Sequence, residues 1–290
     1  MADYSIWALE HAFLPTYPDP LLLYGKPDGT RALSFYYFVI QDEDRVLMVD
    51  AGFSDNEFCA ASSESYGMER FAPPARILPR IGLTPEDVDA IIVSHHHWDH
   101  ISGLGYFPNA TVYIQEREVV NWHAKVDAPE RLCWLHNGLD PQTGTDLERI
   151  DAEGRLRLVN GDDEPFPGVR VRPAFDTHTA GSQYVIVTAS DGGDDWVFTG
   201  DTAYVYDNIG GIEGTEAHIP VGWAQGSQER CVRSTDEMLS AAGDNIVRVL
   251  PSHEDRLWSR YPSVTFPDGN RVAEISLAPG VSSRLPAEAR

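Results

Sequence analysis

Two residue types are scarce in this 290-residue chain, and each scarcity argues against a class of protein. The only cysteines are Cys59, Cys133 and Cys231, an odd number at wide spacing that argues against a disulfide framework. The only lysines are Lys26 and Lys125, and the formal net charge is −23 at pH 7. Such an acidic surface repels nucleic-acid phosphates and anionic membranes. We therefore expect neither nucleic acid nor a membrane as a partner.

Long apolar stretches are also missing from the sequence. No run approaches the roughly 20 residues that a membrane-spanning helix requires. Residues 1–4 carry no basic segment, and no apolar stretch of signal type follows them. The sequence also lacks internal repeats, which argues against a solenoid or a propeller. These absences predict a cytoplasmic, globular protein.

The chemically richest stretch has the sequence HHHWDH at residues 95–100. Only Ser94 separates it from a β-branched apolar run at residues 90–93, the pattern of a buried strand. In an extended segment, residues two apart point the same way, so His95 and His97 can share one metal ion. His96 then faces elsewhere, and we expect it to be a packed residue that supports the ligands.

Two more potential ligands follow in the same stretch. Asp99 and His100 lie past the end of the predicted strand and can turn toward a second metal ion. Imidazole and carboxylate ligands suit zinc, iron or manganese, and no cysteine lies nearby to build a thiolate-rich structural site. The stretch therefore predicts a metal centre built from histidine and aspartate.

This spacing resembles the H-x-H-x-D-H motif of the metallo-β-lactamase superfamily. That family completes a two-metal site with a downstream histidine, a bridging aspartate and a final histidine, and three strand ends here offer His178, Asp201 and His253. An aspartate at the place of Asp50 supports the ligands from behind in that family. The resemblance implies two divalent ions, zinc first, with manganese or iron as alternatives. Asp201 would bridge two ligand groups, which are His95, His97 and His178 for the first ion and Asp99, His100 and His253 for the second.

The resemblance also implies the fold, an α+β four-layer αββα sandwich. Two runs of predicted strands with flanking helices agree with this architecture. Because the candidate ligands extend from residue 95 to residue 253 and must converge on one site, we expect a single domain. This domain is predicted to cover residues 1–278, and residues 279–290 are predicted to form a solvated C-terminal tail.

Three segments outside the motif carry local predictions. Three prolines predict an irregular apolar loop over residues 13–24. Residues 125–155 are predicted to be a long irregular lid, because such loops are usually functional and this one is rich in apolar side chains. Residues 209–223 contain no motif that assigns them a role. Trp134 and Trp223 are candidate walls of a substrate pocket.

Tyr204 indicates which activity of the family to expect. It stands three residues after Asp201, as does the tyrosine of the acyl-homoserine lactonase and pyridoxolactone lactonase branches. The resemblance implies a metal-dependent hydrolase that opens a lactone, a cyclic carboxylic ester, by attack of a metal-bridging hydroxide. Tyr204 would donate a hydrogen bond to the developing oxyanion, and Asp99 would carry a proton to the departing oxygen. A packed aromatic residue is the alternative for Tyr204.

Two positions depart from the lactonase pattern and leave other activities open. Thr177 stands where a glycine commonly precedes the third histidine, and Ser182 stands where a further histidine commonly follows it. The alternatives are a hydroxyacylglutathione-type thioesterase, which calls for a basic C-terminal patch, and a cyclic amide or β-lactam hydrolase. A catalytically silent scaffold would have lost ligands that this chain retains. The expected partner is a small-molecule substrate, and the sequence permits a homodimer.

Overall fold

The structure is a computed structural model that describes residues 3–286, without the side chain of Glu213. Its strands form two sheets. The strands in chain order are β1 (Ser5–Pro18), β2 (Thr30–Gln41), β3 (Val46–Val49), β4 (Ala90–Ile92), β5 (Thr111–Gln115), β6 (Leu156–Val159), β7 (Asp163–Phe166), β8 (Val169–Pro173), β9 (Gln183–Val187), β10 (Trp196–Phe198), β11 (Val249–Leu250), β12 (Ser263–Thr265) and β13 (Arg271–Ser276). The larger sheet has the order β12-β13-β1-β2-β3-β4-β5-β6, and the smaller sheet has the order β11-β10-β9-β8-β7.

Helices cover the outer faces of both sheets. The α-helices are α1 (Asp19–Leu22), α2 (Glu57–Tyr66), α3 (Pro74–Ile77), α4 (Trp98–Ile101), α5 (Glu116–Val126), α6 (Thr143–Ala152), α7 (Tyr206–Gly210), α8 (Gln228–Ala241) and α9 (Leu257–Arg260). On the larger sheet, Ile77 of α3 and Ile150 of α6 belong to the same core cluster as Ile91. On the smaller sheet, Met238 of α8 packs with Val197. Among the helices of residues 3–286, none combines the length and the apolar character that crossing a membrane requires.

The inner faces of the two sheets pack against each other. Phe38 and Ile92 of the larger sheet share one buried cluster with Val185 and Phe198 of the smaller sheet. The ring centroids of Phe38 and Phe198 lie 4.8 Å apart across the interface. Each such side chain stabilises the fold by roughly 1.5–3 kcal/mol through burial. The layers are therefore helix, sheet, sheet and helix, which confirms the predicted αββα sandwich.

Parallel pairing decides where the site lies. β4 runs parallel to β3 and β5 in the larger sheet, and β10 runs parallel to β11 in the smaller sheet. The carboxyl ends of parallel neighbours meet at the same edge. Because β4, β10 and β11 are each followed by predicted ligands, and β8 and β9 enclose His178, this edge gathers side chains from distant parts of the sequence.

The prediction of an irregular loop over residues 13–24 is wrong. β1 continues through this stretch as far as Pro18, and α1 follows it directly. Pro20 lies in the first turn of α1, where backbone N–H groups lack helical partners in any case. Pro15 lies in a bulge of β1, beyond the stretch that β13 pairs with, so the strand has an open edge there. Bulges and open edges are the places where a strand tolerates proline.

The bulge also redirects a side chain. Leu14 pairs with Leu33 of β2, whereas Tyr17 pairs with Arg31, so β1 advances three residues while β2 advances two. One extra residue reverses the alternation of the two faces. Tyr17 therefore shares a face with Leu14, and both residues line the same cavity.

Residues 125–155 are not the irregular lid that the sequence predicted. α5 extends to Val126, a 3-10 segment covers Glu130–His136, and α6 follows. Leu147 and Ile150 of α6 are buried against the larger sheet. Their spacing of three residues places them on one face of a helix. The prediction of an irregular segment did not take this spacing into account.

The end of the described chain is only partly solvated. Leu285 has 3% of its surface exposed and joins the core beside the larger sheet. The guanidinium of Arg284 lies 4.7 Å from the ring centroid of Trp7. The prediction of a solvated tail is therefore wrong for Arg284 and Leu285, whereas residues 279–282 and Pro286 are exposed as predicted. Residues 287–290 lie outside the described residues.

Candidate metal centre

The structure brings all seven predicted ligands together at the carboxyl edge of the parallel strands. Asp99 alone is partly exposed, and the other six are buried. Their inward-facing atoms form two groups that share Asp201, and within each group these atoms lie within 4.8 Å of one another. The first group is His95, His97, His178 and Asp201, and the second group is Asp99, His100, His253 and Asp201.

The first group is built mainly from imidazoles. Nδ1 of His97 lies 3.0 Å from Nε2 of His95 and 2.7 Å from Nε2 of His178. Oδ2 of Asp201 lies 3.6 Å from Nε2 of His95 and 3.4 Å from Nε2 of His178. Three ring nitrogens and one carboxylate oxygen therefore point at a common centre.

The second group contains more carboxylate. Oδ1 of Asp201 lies 3.2 Å from Nε2 of His100 and 3.2 Å from Nε2 of His253. Oδ2 of Asp99 lies 3.4 Å and 3.5 Å from the same two nitrogens. The two oxygens of Asp201 thus face different groups, as a bridging carboxylate requires.

Hydrogen bonds on the outer side of four rings fix which nitrogen faces inward. His100 Nδ1 lies 2.7 Å from Oδ2 of Asp50, and the remaining outer contacts are His95 Nδ1 to Ser94 Oγ at 3.0 Å, His178 Nδ1 to Trp223 O at 3.1 Å and His253 Nδ1 to Ser34 O at 3.1 Å. Since the partners are oxygen acceptors, Nδ1 carries a proton and Nε2 is the nitrogen that faces inward. His97 is reversed, with Nδ1 facing inward.

Asp50 supports the motif from behind, as the resemblance implies. Its carboxylate accepts hydrogen bonds from Ser94 N at 2.6 Å and from Ser94 Oγ at 2.8 Å, besides its contact with His100. Its backbone has a φ of 62° and donates to Ile92 O at 3.0 Å. Aspartate is one of the few residue types that tolerate this left-handed conformation, so the strand end can turn sharply below the ligands.

Protonation differs between the groups. Burial lowers the pKa of His95 and of His97 well below the usual value, and it lowers the pKa of His178 to about 4. Burial also acts on His100, but the carboxylates of Asp201, Asp99 and Asp50 outweigh it and raise its pKa well above the usual value. At neutral pH the first group offers neutral imidazoles, and the second group offers a strongly negative environment.

These donors fit divalent ions. His100 Nε2 and Asp201 Oδ1 are buried, yet within the described residues neither forms a hydrogen bond of good geometry, although they lie 3.2 Å apart. Leaving such atoms unpaired costs about 1–3 kcal/mol each. Imidazole nitrogens and carboxylate oxygens that converge on a common centre are the ligand set expected for zinc or a similar metal.

Comparison with known proteins decides the family. Residues 30–253 match the family model described as "Metallo-beta-lactamase superfamily". The chain belongs to the metallo-β-lactamase superfamily. An N-acyl homoserine lactonase from a Bacillus species is 27% identical over 188 residues, which are 61% of this chain and 67% of the relative. The N-acyl homoserine lactonase AttM of Azorhizobium caulinodans is 26% identical over 187 residues, 62% of this chain and 64% of the relative.

Solved structures of the superfamily agree on the fold. A Bacillus thuringiensis AiiA mutant with N-decanoyl-L-homoserine bound at its active site superimposes with a TM-score of 0.62 at 19% identity, covering 89% of this chain and 96% of that chain. AidC, a dizinc quorum-quenching lactonase, superimposes with a TM-score of 0.60 at 14% identity, covering 98% of this chain and 97% of that chain. The metallo-β-lactamase fold inferred from the motif is confirmed.

In this superfamily member Tyr204 lies across both ligand groups. Its hydroxyl is 3.5 Å from Nε2 of His178 in the first group, and its ring stacks on His253 of the second at a centroid distance of 5.4 Å. Burial raises the pKa of Tyr204 well above the usual value, with Asp201 adding to the effect. The phenol therefore keeps its proton and is available as a hydrogen-bond donor.

A cavity of about 300 Å³ opens onto the ligands. Trp223 lines it, as the sequence predicted, with its ring centroid 4.9 Å from that of His97. Trp134 does not line it and is 53% exposed, so that prediction is wrong. The apolar part of the wall comes mainly from Leu14, Leu33, Phe35, Met68, Trp98 and Trp223.

Sequence reasoning missed several parts of the wall. Asn137 and Gly138 line the cavity from the turn after the 3-10 segment. Gly138 has a φ of 77°, and a Cβ there would lie only 2.6 Å from Cδ2 of His97. Glycine alone permits this close approach. The sequence offers no local signal that this turn reaches His97, because the contact joins segments about forty positions apart.

Proposed function

We propose that this superfamily hydrolase is dinuclear and opens lactones. The observation that carries the proposal is that the two oxygens of Asp201 face two different ligand groups beside one cavity. Two divalent ions, zinc first and manganese or iron as alternatives, would share Asp201. The first ion would be held by His95, His97 and His178, and the second by Asp99, His100 and His253. When bound, such ions supply an activated water and polarise a carbonyl group.

The side chains around the ligands complete the chemistry. Tyr204 keeps its phenolic proton and would donate a hydrogen bond to the carbonyl oxygen as it gains negative charge. A preorganised donor of this kind lowers the barrier by about 2.7–4 kcal/mol. Asp99 is partly exposed at the cavity, and its carboxylate would carry a proton to the ring oxygen that departs. Trp223 and Trp98 would hold the ring and exclude water.

The lining of the cavity favours a neutral substrate. None of the described residues that line it is lysine or arginine, and the chain carries a net charge of −23. A thioester of glutathione brings carboxylates, which an acidic protein without a local cation would repel. An acyl homoserine lactone is uncharged and carries an apolar chain, and the apolar wall suits that chain. The relatives named N-acyl homoserine lactonase support the same choice.

A substrate panel tests the proposal. Lactones of several acyl lengths, thioesters and cyclic amides are offered to the zinc-loaded, manganese-loaded and chelator-treated protein, and acid release is followed with a pH indicator. We expect metal-dependent acid release from lactones. Release from thioesters alone would favour the hydroxyacylglutathione-type alternative, and release from cyclic amides alone would favour the β-lactam type.

A further inference from the structure

One fully buried carboxylate near the metal centre is not among the ligands. Glu118 lies in the first turn of α5 and has no exposed surface. Its Oε1 accepts hydrogen bonds from His96 N at 2.9 Å and from Thr179 Oγ1 at 2.7 Å. Its Oε2 accepts from Gly181 N at 2.6 Å. All three donors are uncharged, so this buried carboxylate depends on their hydrogen-bond geometry.

The donors belong to the two loops that carry the first ligand group. His96 N lies between His95 and His97 in the loop after β4 of the larger sheet. Thr179 and Gly181 directly follow His178 in the connection from β8 to β9 of the smaller sheet. One carboxylate therefore joins ligand loops from two different sheets.

Close packing holds α5 in place for this contact. A Cβ on Gly181 would lie 2.4 Å from the backbone nitrogen of Glu118, so only glycine lets the loop approach the helix. Thr179 is oriented by Ser182, whose Oγ lies 2.7 Å from Thr179 Oγ1 and accepts from Thr179 N at 3.0 Å. Ser182 stands where related lactonases commonly have a histidine, so this arrangement belongs to the part of the loop that departs from their pattern.

His96 takes part in the same contact and is not aimed at the ligands. Its Nδ1 lies 3.3 Å from Oε1 of Glu118, and its Nε2 lies 3.4 Å from Nζ of Lys125. Lys125 in turn donates to the side chain of Gln225, whose backbone N donates to His178 O at 2.9 Å. The outer side of the first group is thus packed against a polar cluster that starts at Glu118.

We propose that Glu118 is a positioning residue for the first ligand group. Its carboxylate holds the two loops at the separation that lets His95, His97 and His178 share one ion. The proposal rests on the proposed metal centre, but it does not depend on which substrate the enzyme hydrolyses. Groups that orient metal ligands change metal affinity by about 10- to 100-fold when they are removed.

The substitution Glu118→Gln removes the charge and keeps the shape. An amide has one acceptor oxygen, whereas Glu118 receives donors on both oxygens. In either orientation the new NH₂ group would face a backbone N–H, of His96 or of Gly181. We expect the affinity for one of the two ions to fall by about 10- to 100-fold, and the affinity for the other ion to change little.

The first measurement titrates Zn²⁺ into metal-free protein against a chromophoric chelator and gives the two affinities. The visible absorption spectrum of the Co²⁺-loaded protein then reports the geometry of the metal ligands. At saturating Co²⁺, a general loss of protein stability would leave this spectrum unchanged. Glu116→Gln is the matched control. It removes the same charge from the same helical turn, but Glu116 is exposed, and within residues 3–286 its carboxylate accepts a hydrogen bond only from Asn160 Nδ2, at 3.4 Å. The control should leave both affinities and the spectrum unchanged.

The outcomes separate the alternatives. Two wild-type affinities and an unchanged Co²⁺ spectrum in Glu118→Gln would overturn the proposal, as would equal weakening by Glu116→Gln. If Glu118→Gln fails to fold, Thr179→Val decides, because it removes one donor and leaves the carboxylate. It should weaken the same ion by a smaller factor, and no change would overturn the proposal. Wild-type protein that binds no Zn²⁺ would overturn the metal centre itself, whereas an inactive protein with two ions would overturn only the lactonase assignment.

Discussion

The two ligand groups share one aspartate but differ in chemistry and in access. The first group consists of buried imidazoles whose pKa values are lowered, and Glu118 lies directly behind it. The second group adds the carboxylate of Asp99, which faces the cavity. In this group the carboxylates of Asp201, Asp99 and Asp50 raise the pKa of His100. Apart from the shared Asp201, the first group is therefore neutral and fully buried, whereas the second group is anionic and, at Asp99, open to the cavity.

This difference suggests a division of roles at one centre. A neutral, closely packed set of nitrogens favours a fixed geometry and a borderline-soft ion such as zinc. An anionic set with an exposed carboxylate favours harder ions and can exchange a proton with substrate or water. The comparison predicts that substitutions in the two groups will have different effects, and the following experiments test it.

The largest effect is expected from Asp201→Asn, which removes the link between the groups. The amide oxygen can serve one group, and the NH₂ would face the other. We expect the chain to keep at most one firmly bound ion and to lose on the order of 10³-fold in kcat, which corresponds to several kcal/mol of lost metal assistance. Metal analysis of the purified variant and its initial rates provide the measurement. Two retained ions with normal turnover would show that the groups do not depend on a shared carboxylate.

Tyr204→Phe comes next, because it removes one hydroxyl that lies beside the first group while leaving the ring on His253. We expect kcat to fall by about 10²- to 10³-fold, as is typical when one oxyanion donor is removed. Metal content and KM should change little. Tyr206→Phe serves as the control, since Tyr206 is equally buried but does not line the cavity. Equal rates in Tyr204→Phe and the wild type would remove this phenol from the mechanism.

The predictable part of the structure is the part with local spacing rules. His95, His97 and His100 follow from a motif next to a strand, and the strand ends before Asp201 and His253 follow from short apolar runs. These features depend on residues near each other in the sequence, so they can be identified without a structure.

The unpredicted features depend on contacts between distant segments. Glu118 looks like any acidic residue in a first helical turn, and only the fold places it against His96. The proline-rich stretch was predicted to be irregular because propensity ignores the open edge and the bulge at Pro15. α6 was missed because Leu147 and Ile150 lie among polar residues that indicate a loop. In each case tertiary structure overrides local propensity.

A smaller effect separates the two groups by metal preference. His178→Ala removes a ligand from the first group, and His253→Ala removes one from the second. Because carboxylates suit Mn²⁺ better than imidazoles do, we expect His253→Ala to weaken Mn²⁺ binding by at least about tenfold more than His178→Ala does, a difference of roughly 1.4 kcal/mol. Competition titrations with Mn²⁺ and Zn²⁺ give the ratio. Equal ratios in the two variants would contradict the division into a neutral and an anionic group.

The smallest effect concerns the open side of the second group. Tyr17 reaches the cavity because of the bulge in β1, and its hydroxyl forms no hydrogen bond with any residue in the described range 3–286. Burial raises its pKa, with Tyr66, Asp99 and Asp201 adding to the effect, so the phenol remains a donor. We expect it to hydrogen-bond a polar group of the substrate and to contribute about 0.5–1.5 kcal/mol.

Tyr17→Phe should therefore raise KM by roughly 2- to 10-fold, with kcat and metal content unchanged. Tyr66→Phe is the matched control. The ring centroid of Tyr66 lies 6.3 Å from that of Tyr17 on the same wall of the cavity, and Tyr66 is 50% exposed. Steady-state kinetics on an acyl homoserine lactone separate KM from kcat. A fall in kcat instead would place Tyr17 with Tyr204 in transition-state stabilisation, and it would mean that the open group contributes more to the chemical step than the comparison assigns to it.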